Sequence, residues 1–391
     1  MTSQATSKPV LDLESMFLLG GGWIGRGMER ANLARGARLL EGRVAVLAAA
    51  VTWLPLFVLA AVEGVAWSAR VNVPLLGDFL PYGQFLVAVP LLLLGESFVG
   101  RRLGLAAAEL RRSNVVIPDD TPALVELYRI TVSRWRSRSL NFLLAAVTCL
   151  ITAVWLMDTP RLLSGEWQAA GSRLTLPGWW YVLISMPVLR FLFLRWLWRL
   201  LLWAWVLWRT AQLKLRPQPT HPDRAGGLAF LGTAQVGFGL LVLTIGVQLS
   251  CLIADAVCYR GASLMAFRGH VIAFALTAVA VILLPLTVFV PKLARARRDA
   301  LVFMSDCAYR GGEDLERQLR AGEGPALPGR EVSSVSGFGG LYETVRQMRP
   351  VPMEMRHAVV LLVVAVLPFL PLWLLVLPAQ EVLRKMGLLL F

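Results

Sequence analysis

Charged side chains are scarce in this 391-residue chain: Asp, Glu, Lys and Arg make up 16%, against 57% for the hydrophobic types. A water-soluble domain averages roughly a quarter charged residues, because its surface must be wetted. An ordinary soluble class is therefore excluded at the outset. Histidine is nearly absent, with His221, His270 and His357 alone. No second His or Cys stands at ligand spacing from any of them, so no metal site is expected. The four cysteines, Cys149, Cys251, Cys258 and Cys307, form no CxxC pair and outline no disulfide framework. GxSxG, the P-loop and HExxH are all missing. Neither enzyme chemistry nor a cofactor has sequence support.

Long apolar runs are what the chain has instead. Seven segments, 44–67, 79–100, 140–157, 178–208, 228–257, 271–291 and 358–378, are mostly apolar over about 18 residues or more. At about 1.5 Å per residue such runs match a hydrocarbon layer of about 30 Å. The expected fold class is all-α: a polytopic integral membrane protein with about seven transmembrane helices and helical cytoplasmic segments.

The net charge is +14, and its placement decides what it means. Residues 1–43, 101–139, 209–226 and 292–357 hold 29 of the Lys and Arg residues, and the alternate segments hold seven. This is the positive-inside pattern, which puts the N-terminus in the cytoplasm and the C-terminus outside. The basic residues then face an anionic inner leaflet, and a nucleic-acid partner is not needed to explain them. The run MFLLGGGWIG follows a nearly neutral start, so the first span is expected to act as an uncleaved signal.

The expected organisation follows. Residues 1–43 form a cytoplasmic tail, 44–100 membrane helices one and two, and 101–139 a cytoplasmic amphipathic segment. Residues 140–208 carry helices three and four, 209–227 a cytoplasmic linker, and 228–291 helices five and six. A cytoplasmic helical segment at 292–357 precedes the last helix and tail at 358–391. Within it GEGPALPGREVSSVSGFGG, residues 322–340, reads as a loop. Thr121 and Pro122 start a helix expected to lie on the inner leaflet.

Charges inside the spans are the candidate functional residues. RFLFLRWLWRLLLWAWVLWR, residues 190–209, carries arginines spaced five, four and ten apart. A voltage sensor needs them at every third position, so that role is excluded. Arg190 falls near the midplane, where a charge needs a partner or water. Snorkelling accounts for Arg195, Arg199 and Arg209. Glu63, Glu96 and Asp255 are the carboxylates available. Glu96 is expected either to pair with Arg195 or Arg190 or to stand on an ion path. Thr244 and Gln248 share a helical face with Asp255, as a cavity lining or as interhelical hydrogen bonders. Ala225, Gly232, Gly239 and Gly246 repeat every seven residues and predict a seam for close helix packing. Pro55, Pro90, Pro187 and Pro368 are among the prolines that break or kink spans and free carbonyl groups.

THPDRAGGL, residues 220–228, reads as a capped helix start, with Thr220 or His221 at the cap, Pro222 in the first turn and Asp223 on the dipole. The alternative is an anion or lipid-headgroup site built from His221, Asp223, Arg224, Gly226 and Gly227. HPDRAGG, YETVRQMRPVP and the terminal EVLRKMGLLLF together resemble a group of uncharacterised bacterial multi-span inner-membrane proteins. The resemblance covers the C-terminal half and implies a location, not an activity.

The expected function is a membrane channel or transporter for a small ion or solute. The alternative is a non-transporting adaptor or sensor that presents 292–357 to a cytoplasmic protein partner. A homo-oligomer is expected in either case.

Overall fold

A computed structural model describes residues 37–67, 71–162, 166–170, 173–320 and 329–373. The N-terminal tail expected at 1–43 and the end of the last segment therefore lie mostly outside the described residues.

Among the described residues, six helices are long and apolar enough to cross a membrane. α1 is Ala37–Glu63, and α2 runs over Phe79–Arg112. α3 is Thr121–Arg136, which is short and amphipathic, and α4 is Arg138–Leu162. α5 runs over Leu176–Gln212 and α6 over Phe230–Arg260. α7 is Arg268–Leu283, continued by the 3-10 turns of Leu284–Phe289 into α8, Val290–Arg320. α9 is Gly329–Arg346 and α10 is Met355–Val366. The two strands are β1 Ala169–Ala170 and β2 Arg173–Leu174, a small antiparallel ribbon between α4 and α5.

The long helices expose rows of large apolar side chains: Val46, Leu47, Val51, Leu54 and Val58 on α1, and Phe142, Leu143, Leu150 and Val154 on α4. Water does not tolerate such stripes on a monomer, and lipid does. The seventh expected span, 358–378, is described only as far as residue 373, and residues 374–378 lie outside the described residues. Met355–Phe369 is a shorter apolar helix that loses its α-helical form at Pro368, where the ring replaces an N–H donor.

Prolines shape the other helices as well. In α2 the turns of Tyr82–Ala88 widen to π geometry two residues before Pro90, and in α5 those of Tyr181–Ser185 do so two residues before Pro187. A proline ring collides with the carbonyl four residues back, and a widened turn moves that carbonyl aside. Pro55 likewise deprives the Val51 carbonyl of its helical donor. The indole N–H of Trp180 supplies one instead, at 3.3 Å.

The glycine seam is found on α6. A Cβ at Gly232 would sit 3.0 Å from the Pro352 carbonyl oxygen, one at Gly239 3.2 Å from Leu361, and one at Gly246 3.0 Å from Pro368. Three of the four small residues therefore seat the α10 segment against α6. Ala225 is buried but precedes the helix.

Another expectation needs correction. Residues 329–340 are helical rather than part of a loop, because α9 is held on α8 through its C-terminal end: Val345 is buried, and Arg297 donates to the Arg346 carbonyl at 2.7 Å. α3 is docked on protein by one face. Leu124, Tyr128 and Trp135 are buried, and the Tyr128 hydroxyl donates to the Ala107 carbonyl of α2.

Candidate functional site

The helices gather at two ends. At one end the Glu63 carboxylate accepts from the Leu176 N–H at 2.8 Å, and the Tyr259 hydroxyl donates to the Gly77 carbonyl at 2.9 Å. At the other, the Arg349 N–H donates to the Arg224 carbonyl at 2.7 Å and Lys292 donates to the Leu213 carbonyl. Segments 101–139, 209–227 and 292–357 meet at this second, basic end.

A chamber of about 870 Å³ lies at the first end, between α2, α4, α5, α6 and the ribbon segment. Asp78 is its pivot. Its Oδ1 accepts from the Leu80 N–H at 2.9 Å and caps α2, and its Oδ2 accepts from the Trp167 indole at 2.8 Å. Its carboxyl also meets that of Asp255, whose Oδ1 accepts from the Phe79 N–H at 3.0 Å. Glu166 and Arg260 complete the charged lining. Deeper in, the Tyr181 hydroxyl donates to Gln84 Oε1 at 3.2 Å and ties together the two π-wound stretches.

Burial pushes the Asp78 carboxyl above its ordinary range, and its hydrogen bonds to Trp167 and Leu80 oppose that. Glu166 is pushed up by burial first and by the Asp78 charge second, with Arg260 opposing. A carboxyl whose native pKa exceeds its unfolded one binds more protons in the native state across that window. Stability is then present at low pH and falls as pH rises through the native values. The melting temperature in detergent is expected to fall as pH rises above the ordinary carboxylate range of about 4, with a shallower fall in Glu166→Gln. A flat profile in the wild type would contradict the buried placement of these acids.

Beyond the chamber, polar groups recur along α5. Arg190 donates to Thr152 Oγ1 at 3.0 Å, and its guanidinium lies 5.5 Å from the Trp155 ring centroid. Nine residues on, about 13 Å along the axis, Arg199 and Glu96 are both fully buried. Glu96 Oε1 lies 3.1 Å from Arg195 Nε and 3.3 Å from an Arg199 terminal nitrogen. The Trp135 ring covers both guanidinium groups and Trp196 covers Arg199. The expected pairing of Glu96 with Arg195 is present, and Arg199 joins it. Arg199 therefore does not snorkel: its head is held inside by the carboxylate and two indole rings. Arg190 stands apart from Glu96.

The other candidates disperse. Glu63 fastens the start of α5 and does not line the chamber. Thr244 donates to the Leu240 carbonyl at 2.7 Å, and Gln248 donates to that of Thr244 at 3.4 Å. Both are satisfied within α6, so only Asp255 of that stripe lines the chamber. Residues 220–229 are not a helix start. Asp223 turns back and accepts from the N–H groups of Ala225, Gly227 and Ala229 at 2.9–3.1 Å, which holds its carboxyl below the usual range despite burial. The N–H groups that an external anion would need are thus occupied by the chain's own carboxylate. Gly226 and Gly227 have φ of +66° and +85°, conformations that favour glycine. A Cβ at Gly226 would meet Pro217 at 2.9 Å.

Asp78, Gln84, Glu166, Trp167 and Gln168 were not among the residues expected from the sequence. Asp78 carries a signal, an Asp directly before a proline-bearing apolar start. Glu166 and Trp167 lie in a short interspan segment with none. Searches against protein-family models, curated proteins and solved structures each find no match for this chain.

Proposed function

We propose that the protein is a channel or transporter for a small ion or solute, spanning a bacterial inner membrane with its basic end in the cytoplasm. One observation carries the reading: a polar chamber open at one end of the bundle, with charged groups held deeper among the helices, Arg190 half-buried against α4 and the Glu96–Arg195–Arg199 cluster on another face of α5. Polar groups at such depth are expensive in hydrocarbon and mark passages more often than they stabilise. The widened turns at Tyr82–Ala88 and Tyr181–Ser185 support the same reading, since π segments recur at functional sites. The positive-inside rule supplies the orientation, and assembly as a homo-oligomer belongs to the proposal.

The test is flux in proteoliposomes under potassium, chloride and proton gradients, with Arg190→Gln and Asp255→Asn as variants. Either variant is expected to lower flux by about tenfold, equivalent to about 1.4 kcal/mol. Unchanged flux in both would make these residues structural. No flux under any gradient would turn the assignment to the adaptor reading. Val302, Phe303 and Tyr309, exposed on α8 beyond the basic end, are the feature that favours it.

A further inference from the structure

The charges lining the chamber do not balance. Asp78, Asp255 and Glu166 face one guanidinium, that of Arg260. Three carboxyl groups thus stand against one guanidinium, and the lining has an excess of acidic groups. The walls are aromatic: Trp155, Tyr181, Tyr259 and Phe267 all contribute. A ring face beside an uncompensated carboxylate attracts a cation that also has apolar surface.

Gln168 is a separate observation. It lines the chamber, is 4% exposed, and its amide oxygen has no hydrogen-bond partner among the described residues. A buried acceptor left open in this way calls for a donor. A bare metal ion is a poor occupant. Among the described residues no group of three or more His, Cys, Asp or Glu is placed to hold one. The volume, about 870 Å³, falls within the range of small-molecule sites.

The geometry points to an organic ammonium ion carrying an N–H or O–H donor as the ligand of this chamber. Its cationic head lies among Asp78, Asp255 and Glu166, its body lies against the rings, and its donor is offered to Gln168. This deepens the transport reading and rests on it for the identity of the cargo.

The experiment titrates the purified full-length protein in detergent with choline, with n-butylammonium, and with 3,3-dimethylbutan-1-ol, the uncharged counterpart of choline. Tryptophan fluorescence and melting temperature are the readouts. At least one ammonium ion is expected to bind saturably, and the alcohol about tenfold more weakly or not at all. Asp255→Asn keeps the shape and can still donate to Asp78. It is expected to weaken ammonium binding about tenfold without lowering the melting temperature. Glu166→Gln provides a second variant should the first fail to fold. Binding of the alcohol as tight as that of choline, or no binding of either ammonium ion, would overturn the inference.

Flux then separates the two ideas. Ammonium binding without any flux keeps the ligand class and overturns transport. Ion flux without ammonium binding keeps transport and overturns the ligand class.

Discussion

Glu96→Ala is expected to leave little folded protein. Glu96 is fully buried and answers two guanidinium groups, one of which, Arg199, is also fully buried. Removing the carboxylate leaves Arg199 and Arg195 repelling each other in a medium that solvates neither. Breaking a buried ion pair from one side destabilises by about 3–5 kcal/mol, a large share of the margin of most folds. Glu96→Gln keeps the shape and one acceptor, so it should fall between the wild type and Ala. The double variant Glu96→Gln with Arg199→Gln removes one charge of each sign and is expected to recover part of the loss. Yield and thermal unfolding in detergent would show this. A Glu96→Ala protein as stable as the wild type would mean that Trp135 and Trp196 suffice to hold the two arginines.

Gly178→Ala should be the most damaging single-methyl insertion in the chamber wall. Gly178 lies in the first turn of α5, where Thr175 caps it: Thr175 Oγ1 accepts from the Gly178 N–H at 3.1 Å and donates to the Trp167 carbonyl at 2.8 Å. A Cβ there would stand 2.1 Å from the Gln168 carbonyl oxygen and 3.0 Å from its carbon. Those atoms are backbone and cannot swing away as a side-chain tip could. The segment carrying Glu166, Trp167 and Gln168 must therefore move, and the Trp167 bond to Asp78 goes with it. Overpacking of this kind costs about 1–3 kcal/mol, and ligand affinity should drop by about tenfold or more. Gly42→Ala, in open space within α1, serves as the control, with stability unchanged or raised by about 1 kcal/mol. Equal binding in both variants would show that the ribbon segment has no part in the chamber.

The sequence made the apolar helices legible because length and composition alone decide them. It also made the glycine seam legible, because a repeat of seven is a property of one helix. The pairing of Glu96 with Arg195 was readable from depth, since each sits a countable distance from its span's end. Arg199 was not: whether a long side chain reaches outward or inward depends on Trp135, which arrives from α3, a segment whose docking no local pattern announces. The chamber was hidden for the same reason. Asp78, Glu166 and Asp255 come from three separate parts of the chain, and only the assembled bundle brings them together. At 220–229 the residue types were right for a helix cap, and Asp223 does bind backbone N–H groups. They belong to a tight turn that Gly226 and Gly227 make possible, and local chemistry does not distinguish that turn from a helix start.

The Glu96 cluster has a consequence for how anything could cross this bundle. With one carboxylate and two guanidinium groups it is a fixed positive layer, and Arg190 adds another positive charge above it. At about 5 Å and an effective dielectric constant of about 20, each such charge repels a cation by about 3 kcal/mol. An open pore through that layer would admit anions and reject the cations that the chamber attracts. Cargo held by Asp78 and Asp255 therefore could not simply diffuse onward. It would have to wait while the walls rearranged around it, which is the behaviour of a carrier rather than of a conduit.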